Sequence, residues 1–539
     1  MKVLALQAPK ARWFADEPIE LSDRRLWISA AAILLLSLAQ RLYFYTGFYG
    51  SDEVTYLAAA VRALNGDFSP STYIGSIRYG FQLPMTGFMF MFGQSEAVAN
   101  LWSLACSLAE IAFVILIGNL IVGFRAAVLG GLVLGTLPLH VHYAGRLMAD
   151  PPLAFFMTAT FLLFWLGQKR DQALYFLAAG LAAGMVLWTK ESTVVFLVIF
   201  LVYPIVFRCW NWRWGWMVFG FGLMLGANLL FFTQVAGDPL YAFRVAGGAV
   251  SSYTGDDARF ASAIDSPLFY AQYLFAKPYH TWLLGYLALV GLFNLARDRY
   301  RDGLGATSAS YLVWWCLGMV VLFSVLPVSF EPIKLITKQV NYMLMFAAPL
   351  ALLGGLALAR LHGRSLGLAM ALLLLPALVL SAMEKNVIEI FTTNSKATVA
   401  FAKAHPGVAV HGSIGAQRAA GFDALTAPQG EHVRIASMTG PIDGVGRMGA
   451  AYVIFDKETE AWGNTRGWSA ESVPKCWVPS GVLKAQPDLA LPAVFGLMQN
   501  LVRWIPGHLG GKIAQQIDSL TVQQPALLFR VPAGGCSGP

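Results

Sequence analysis

Apolar stretches separated by short polar segments fill the first 384 residues of the chain, and eleven of them are predicted membrane spans. Each approaches the roughly 20 apolar residues that an α-helix needs to cross the hydrocarbon core of a bilayer. The predicted spans are 26–46, 97–121, 124–142, 151–168, 172–189, 192–207, 215–235, 279–296, 309–328, 341–360 and 366–384. The pattern therefore predicts an α-helical polytopic membrane protein.

The pattern changes after the last span, where short apolar runs alternate with polar ones. Residues rich in β-branched and aromatic types predict short strands, and two longer periodic stretches predict helices. The predicted strands are Val408–His411, Val433–Ile435, Ala451–Phe455 and Ala526–Val531, and the helices are Lys396–Ala404 and Ala493–Ile505. We therefore divide the chain into a transmembrane domain, 1–384, and a small soluble α/β domain, 385–539.

The charge distribution predicts which connections between the spans lie on the cytoplasmic side of the membrane. A mean hydropathy of +0.58 and a charged fraction of 13% exclude an ordinary soluble protein. The net charge of +8 comes largely from alternate connections between spans, which the positive-inside rule places in the cytoplasm. These connections carry Arg24, Arg25, Arg125, Lys169, Arg170, Arg208, Arg213, Arg297, Arg299, Arg301, Arg360 and Arg364. The sequence predicts a multi-pass protein of the bacterial inner membrane, with a cytoplasmic N-terminus and residues 385–539 outside.

Cysteine and histidine spacing gives little sign of a metal site. Five cysteines in 539 residues do not form a disulfide scaffold or a zinc motif. Cys476 and Cys536 lie in the polar tail, where a disulfide forms if that tail is extracytoplasmic. His140 and His142 are two residues apart and do not share a helix face. No cofactor is expected, and the need for a divalent metal stays open.

The first outer loop, 47–96, holds two adjacent acids, Asp52 and Glu53, just where the chain leaves the membrane. Helical spacing of the apolar residues that follow predicts a short amphipathic helix at the membrane surface, ending near Asn65-Gly66. A second apolar piece, Leu83 to Phe92, is too short to span the bilayer and is expected to lie in the interface. The two acids either cap the helix or provide a catalytic carboxylate.

Ionisable residues collect at the predicted outer face. Each alone is typical of an anchor at the end of a span, but together they indicate a site with carboxylates and cations. A carboxylate can take a proton from an acceptor, and lysine and arginine can hold a lipid phosphate as it leaves a sugar. Displacement at the anomeric carbon by a single nucleophile inverts its configuration. The residues are Asp52, Glu53, Arg78, Arg146, Asp150, Lys190, Glu191, Lys334 and Lys338.

Several short motifs in these loops resemble those of the GT-C glycosyltransferases that use polyprenyl-phosphate sugars. This branch includes protein O-mannosyltransferases and the aminoarabinose transferases that modify lipid A. The motifs are Asp52-Glu53 with Tyr56, Gly66-Asp67-Phe68 followed by Pro84, Tyr143-Ala144-Gly145-Arg146 before Asp150-Pro151, Thr189-Lys190-Glu191, and Lys338-Gln339 with Tyr342. The resemblance covers about residues 26–360.

The resemblance implies a role for each matching residue. Asp52 becomes the catalytic carboxylate with Glu53 as its neighbour, and Asp150 becomes the second, supporting acid. The residues implied to bind the donor phosphate are Arg146, Lys190 and Lys338, and those implied to bind substrate are Tyr56 and Tyr342. Aminoarabinose transferases commonly carry Lys-Pro-Pro in the first loop, whereas this chain has Phe81-Gln82-Leu83-Pro84. Arg78 is the candidate to replace that missing cation.

The resemblance predicts an inverting membrane glycosyltransferase that uses a polyprenyl-phosphate sugar, with a glycolipid, polysaccharide or protein as the open choice of acceptor. A transporter or flippase of lipid-linked sugars is the main alternative. It should show repeated halves and charges near mid-membrane, whereas the charges seen in the sequence gather at one face. A non-catalytic sensor or assembly factor is a third, and in that case the C-terminal domain would matter and Asp52 would be dispensable.

Overall fold

The computed structural model describes most of the chain. The described residues are 18–254, 266–302, 307–330, 333–427, 432–438, 442–447, 449–457, 468–471 and 473–536. Residues 1–17, which belong to the predicted cytoplasmic N-terminal segment, lie outside the described residues.

The helices of the membrane domain follow the predicted spans closely. They are α1 (Arg24–Tyr43), α2 (Asp52–Leu64), α3 (Tyr79–Phe92), α4 (Glu96–Ala99), α5 (Leu101–Leu116), α6 (Asn119–Val122), α7 (Phe124–Gly135), α8 (Pro138–Ala144), α9 (Asp150–Arg170), α10 (Ala173–Thr189), α11 (Val198–Phe207), α12 (Gly215–Ala236), α13 (Tyr241–Thr254), α14 (Phe269–Ala271), α15 (Leu284–Asp302), α16 (Thr307–Val325), α17 (Ala347–Ala359) and α18 (Gly363–Ala404). Short 3-10 segments cover Ile74–Ile77, Glu191–Leu197, Trp212–Trp214 and Val340–Phe346, and a π-helical turn covers Gln272–Ala276.

Each of the eleven predicted spans coincides with helix. Among the described residues, seven helices are long and apolar enough to cross a membrane, and α7 with α8 forms an eighth span bent by 59°. The other three predicted spans correspond to shorter apolar helices, which are Ala173–Thr189, Glu191–Phe207 and Leu284–Arg297. The predicted fold, a polytopic helical membrane domain with a small α/β domain near the C-terminus, is confirmed.

Small residues allow the membrane helices to approach closely. A side chain on Gly355 of α17 would clash with the backbone of α7 at Ala126, and one on Gly180 of α10 would clash with α12 at Met217. Helices in lipid gain little from the hydrophobic effect between themselves, so such close backbone contact supplies much of their association. These two helix pairs pack the interior beneath the outer loops.

The first outer loop forms two packed helices, of which α2 lies where the sequence predicts a helix and α3 includes the apolar piece Leu83 to Phe92. Tyr56 of α2 and Phe81 of α3 are fully buried, with ring centroids 5.0 Å apart. Helix α2 ends at Leu64, and Gly66 follows with a positive φ of 80° that suits glycine. The other side of α2 packs against helix α19 (Ile414–Thr426) of the C-terminal domain.

The C-terminal domain is built on a five-stranded sheet in the order β4-β3-β5-β7-β6. The strands are β3 (Ala409–His411), β4 (Ile435–Ala436), β5 (Ala451–Phe455), β6 (Val478–Leu483) and β7 (Ala526–Val531), and a separate hairpin in the membrane domain pairs β1 (Pro327–Phe330) with β2 (Ile333–Leu335). Strand β3 lies parallel to β4 and β5, and β7 is antiparallel to β5 and β6. Two further helices, α20 (Pro492–Val502) and α21 (Gly507–Asp518), precede β7, and a 3-10 turn covers Ile442–Gly444.

This domain is continuous with a membrane helix and contains a disulfide of its own. Helix α18 runs for 42 residues without interruption through position 384, where the sequence predicts the domain boundary. Cys476 and Cys536 form a disulfide. Of the strands in the sheet, β6 is absent from the sequence prediction, because its residues are mostly exposed and lack an apolar alternation.

Candidate active site

Asp52 is the first residue of α2, and its carboxylate faces an open, polar space. Tyr73 donates a short hydrogen bond to Oδ1, while Oδ2 lies 3.5 Å from the Tyr56 hydroxyl and 3.8 Å from Arg78 Nη1. The Asp52 side chain keeps 29% of its surface exposed. Asp52 therefore does not cap its helix, and its carboxylate is accessible to a substrate.

Glu53 has a different environment from its neighbour. It is buried, and its Oε1 accepts hydrogen bonds from the backbone N–H groups of Tyr49 and Gly50, at 2.6 and 2.5 Å. These contacts fix the segment that leads from the first span into α2. The structure thus separates the two adjacent acids, with Asp52 in the open space and Glu53 on the loop backbone.

Arg78 lies behind Asp52 and is buried. Its guanidinium donates to the Tyr56 hydroxyl, and it also interacts electrostatically with Glu191 and Tyr342. Burial opposes the charge, but Tyr56, Glu191 and Asp52 outweigh it and raise the pKa of Arg78 above its ordinary value. The arginine proposed to replace the missing lysine is therefore a firmly charged cation next to Asp52.

A second group of polar side chains forms around Asp150 at the start of α9. Its Oδ1 accepts hydrogen bonds from Lys190 Nζ at 3.1 Å and Asn341 Nδ2 at 3.0 Å. Lys190 Nζ also lies 4.3 Å from the centre of the Tyr342 ring, in cation–π geometry. Tyr56 interacts electrostatically with both Asp52 and Asp150, so the two groups adjoin each other.

Arg146 is buried a little apart from this group. Its guanidinium carbon lies 4.3 Å from the centre of the Tyr49 ring and 5.4 Å from that of Tyr143, and Nη1 lies 3.3 Å from His142 Nε2. Tyr143 interacts electrostatically with both Arg146 and Asp150. The aromatic rings hold the guanidinium in place and leave part of its donor edge for another partner.

Lys338 is buried, and its Nζ donates to the carbonyl of Ile336 at 3.2 Å. It follows the β1–β2 hairpin and stands three residues before Asn341. The structure therefore brings Asp52, Arg78 and Tyr56 together, places Asp150, Lys190 and Tyr342 beside them, and puts Arg146 and Lys338 at the margins.

Several buried polar atoms in this region lack a hydrogen-bond partner among the described residues. They are Arg78 Nε, Arg146 Nε, Glu53 Oε2 and Glu191 Oε1. Burying an unsatisfied polar group costs free energy, which a ligand that supplies the missing partner would recover. Two of the four are guanidinium donors, which suit the oxygens of an anion.

A cavity of about 520 Å³ opens beside Tyr73, on the side of the site that contains Asp52. Tyr73, which bonds to Asp52, lines it from the first outer loop, and Tyr241 and Arg244 line it from α13. The cavity is large enough for a sugar unit. It gives the Asp52 region an approach from the outer loops.

Two site residues were missed by the sequence reasoning. Tyr73 and Asn341 contact Asp52 and Asp150, yet neither stands in a charged cluster of the sequence. Asn341 had a usable signal, since it lies between Lys338-Gln339 and Tyr342 in a segment already singled out. Tyr73 had none, because tyrosines are common in interfacial loops.

A separate polar network, which the sequence reasoning also missed, lies within the membrane domain. Arg41 Nη2 contacts His140 Nδ1 at 2.5 Å, and His140 Nε2 lies 3.1 Å from Glu110 Oε2. The other Glu110 oxygen accepts from Thr158 at 2.8 Å, and Arg41 also donates to Ser107 at 2.8 Å. Because Arg41 donates to Nδ1, the His140 proton lies on Nε2 and points at Glu110. His140 thus links Arg41 to Glu110 within this network.

Among the described residues, no group of three or more His, Cys, Asp and Glu side chains could hold a metal ion. The site combines the open carboxylate of Asp52 and the buried carboxylate of Asp150 with several cations and with tyrosines. The tyrosines are Tyr49, Tyr56, Tyr73, Tyr143 and Tyr342. This combination suits proton removal next to a bound anion.

The helical membrane domain, its outer-loop site and its small C-terminal sheet domain together resemble the architecture of the GT-C glycosyltransferases. A sequence model described as dolichyl-phosphate-mannose-protein mannosyltransferase matches residues 81–231. An undecaprenyl phosphate-alpha-4-amino-4-deoxy-L-arabinose arabinosyl transferase of Edwardsiella ictaluri is 25% identical over 333 residues, or 58% of this chain. The match spans 56% of that relative's length.

Solved structures agree with this assignment. ArnT from Cupriavidus metallidurans bound to undecaprenyl phosphate aligns with a TM-score of 0.56 and 17% identity, over 85% of this chain and 97% of the other. The same protein in its apo state gives a TM-score of 0.54 and 17% identity, over 81% and 94%. At this identity the structural match establishes the fold. With the sequence matches, it confirms the resemblance to GT-C glycosyltransferases of the aminoarabinose-transferase type, and the chain is a multi-pass inner-membrane protein.

Proposed function

We propose that this protein is an inverting glycosyltransferase that moves a sugar from a polyprenyl-phosphate donor to an acceptor at the outer face of the membrane. The observation that carries the proposal is the accessible carboxylate of Asp52 beside the buried cations Arg78 and Lys190. A base and an anion site stand side by side, which is what transfer from a sugar phosphate requires.

The chemistry needs few groups. Asp52 accepts the proton of the acceptor's nucleophilic group, whose lone pair forms a new bond to the anomeric carbon of the sugar. The bond between that carbon and the phosphate oxygen breaks, and its electron pair leaves with the lipid phosphate. No general acid is needed, because a phosphate leaves as a stable anion. Attack from the face opposite the phosphate inverts the anomeric centre.

The cations stabilise the departing phosphate. Arg78 Nε has no partner among the described residues, and a phosphate oxygen would satisfy it. Lys190 is held in place by Asp150 and Tyr342, which leaves further N–H donors of its ammonium group for the ligand. Arg146 offers an unsatisfied Nε at the margin of the same region. Lys338, also buried, adds positive charge on the Asn341 side.

The relatives support the type of donor. One is named as a transferase that uses an undecaprenyl-phosphate sugar, and the structure with the same fold holds undecaprenyl phosphate. We extend that donor class to this chain because Asp52, Asp150 and Lys190 occupy one connected site. A glycolipid, a polysaccharide or a protein remains the acceptor class.

We also propose the orientation that this reaction requires. The positively charged connections place the N-terminus in the cytoplasm and the region after residue 384 outside. Domain limits of 1–384 and 385–539 follow from that assignment, although helix α18 is continuous across them. A membrane-impermeant thiol reagent should label Gln515→Cys in cells whose outer membrane has been made permeable and whose inner membrane is intact. Labelling only after the inner membrane is broken would reverse the orientation.

Asp52→Asn tests the catalytic proposal directly. The purified variant should bind donor and unfold at the wild-type temperature, yet transfer sugar about 10²–10⁴-fold more slowly, because an amide cannot take the proton. The measurement is transfer of label from a polyprenyl-phosphate sugar to an acceptor extract. The matched control is Glu53→Gln at the adjacent position, which should lose thermal stability more than turnover. Full activity of Asp52→Asn would sink the assignment.

A further inference from the structure

The C-terminal domain carries a helical hairpin, made of α20 and α21, that packs on the membrane domain. On its inner side Phe495 is fully buried, in a cluster that contains Phe44 at the end of α1 and Ala382 of α18. The hairpin base is fixed by polar contacts as well, since Lys385 Nζ pairs with Asp488 at 2.7 Å. The hairpin therefore lies at the level where two membrane spans leave the bilayer.

The outer side of the same hairpin is apolar and exposed among the residues that the structure describes. The exposed fraction is 60% for Leu497, 58% for Leu501, 86% for Trp504 and 63% for Leu509. Leu497, Leu501 and Trp504 follow one another at helical spacing along α20 and the turn after it, and Leu509 lies in the first turn of α21. A contiguous apolar face of this kind on a soluble domain normally marks a contact with another molecule or a membrane.

The surroundings of this face favour lipid. It adjoins side chains that face the acyl chains in the membrane spans, since the exposed Tyr43 of α1 meets the Leu491 backbone N–H through its hydroxyl at 3.4 Å. Leu42 of α1 and Leu375 of α18 are 60% and 64% exposed on that surface. The apolar face of the hairpin thus continues the lipid-facing surface of the membrane domain.

The charges around the face point the same way. Between Asp488 and Asp518 the sequence contains no carboxylate, whereas Arg503 and Lys512 are both exposed. A tryptophan flanked by cations is typical of segments that lie at the boundary between headgroups and acyl chains. The cations complement the negative charge of anionic lipids.

We propose that hairpin α20–α21 lies in the outer-leaflet interface, with Leu497, Leu501, Trp504 and Leu509 inserted among the lipids. The partner of this surface is the bilayer itself, and its chemistry is an anionic phospholipid headgroup over acyl chains. The hairpin is then a second attachment of the C-terminal domain to the membrane, besides helix α18. This holds whether or not the proposed transfer reaction is correct.

Site-directed fluorescence quenching tests the proposal on the full-length protein. A bimane label is attached to Leu501→Cys, or to Gln515→Cys as the matched control, in a Cys209→Ser background that removes the exposed free cysteine. Gln515 is exposed on the polar side of the same hairpin. Each variant is placed in vesicles of phosphatidylethanolamine and phosphatidylglycerol, with either spin-labelled lipid or aqueous iodide as the quencher.

The expected result is opposite quenching at the two positions. Spin-labelled lipid should reduce fluorescence at position 501 by about twofold or more, as for a side chain buried at the acyl boundary, while iodide should act mainly at position 515. Strong iodide quenching at position 501 without lipid quenching would overturn the proposal. Protection of position 501 from both quenchers would also overturn it, because the face would then be covered by protein.

Discussion

Two ion-rich regions of this protein differ in how completely their polar atoms are satisfied. In the network within the membrane, both Glu110 oxygens, both His140 nitrogens and all three Arg41 nitrogens have partners. At the outer site, Arg78 and Arg146 each retain a buried donor without a partner among the described residues. Asp52 in that site is also partly exposed.

The contrast distinguishes an ion network that stabilises the fold from a site that binds a ligand. A buried ion network with every atom paired has nothing left to offer a ligand, and its effect is to fix the helices that supply it. A site with unsatisfied donors carries a cost in the free protein that an incoming anion relieves. Charge alone therefore does not mark a functional site, whereas incomplete pairing of buried charge is more informative.

The largest expected effect is on the satisfied network. Glu110→Leu leaves Arg41 and His140 buried without their carboxylate, and it should lower the free energy of unfolding by about 3–5 kcal/mol. Thermal unfolding in detergent measures this. The rate of transfer per folded molecule should stay unchanged. Replacing all three residues by apolar ones, as Glu110→Leu with Arg41→Met and His140→Leu, should recover much of the stability. A stable Glu110→Leu protein with no transfer would instead assign the network to the reaction.

A smaller effect is expected on donor binding at the outer site, in addition to a loss of stability because Asp150 is left buried without its ion partner. Lys190→Met removes the ammonium beside Asp150, and it should weaken donor binding by about 1.5–3 kcal/mol, roughly tenfold to a hundredfold in KM. The control is Lys385→Met, another buried lysine, whose carboxylate partner Asp488 lies in the hairpin contact and is 82% exposed. The comparison fails if both variants change donor KM equally.

The smallest effect is expected from an exposed pair on the same loop. Arg62 and Asp67 lie 3.8 Å apart with 41% and 50% of their side chains exposed. Such pairs contribute at most about 0.5–1 kcal/mol, so Arg62→Gln should leave both unfolding temperature and transfer nearly unchanged. A tenfold loss of transfer would mean that the anion site extends to the end of α2.

Local sequence signals predicted the helices and much of the outer site. Apolar runs placed a helix at each of the eleven predicted spans. Among the described residues, seven of these helices, or eight with the bent pair α7–α8, have the length and apolar composition that a crossing needs. The helix that begins at Asp52 followed from the apolar spacing after it, and Asn65-Gly66 marked its end. Strand β5 was placed at Ala451–Phe455, a short apolar run of β-branched and aromatic residues. Loop charges then located the acids and cations near each other.

The sequence could not predict contacts that depend on how distant segments meet. Arg41, Glu110 and His140 come from three spans and share no spacing, so their network exists only after the helices pack. The different environments of Asp52 and Glu53 depend on the path of the loop backbone at Tyr49 and Gly50. Neither follows from residue type.

Helix α18 is one long element that joins the two domains. At about 1.5 Å per residue its 42 residues extend about 60 Å, roughly twice the thickness of the hydrocarbon core. Its outer part carries the domain whose Arg418 donates to the carbonyl of Gly50, two residues before Asp52. A membrane helix adjusts its tilt to the thickness of the bilayer. A thinner or thicker membrane would therefore move the C-terminal end of α18, outside the bilayer, more than the part inside it. We therefore expect a change in lipid chain length to move the C-terminal domain and, through the contact between Arg418 and Gly50, the segment that carries Asp52.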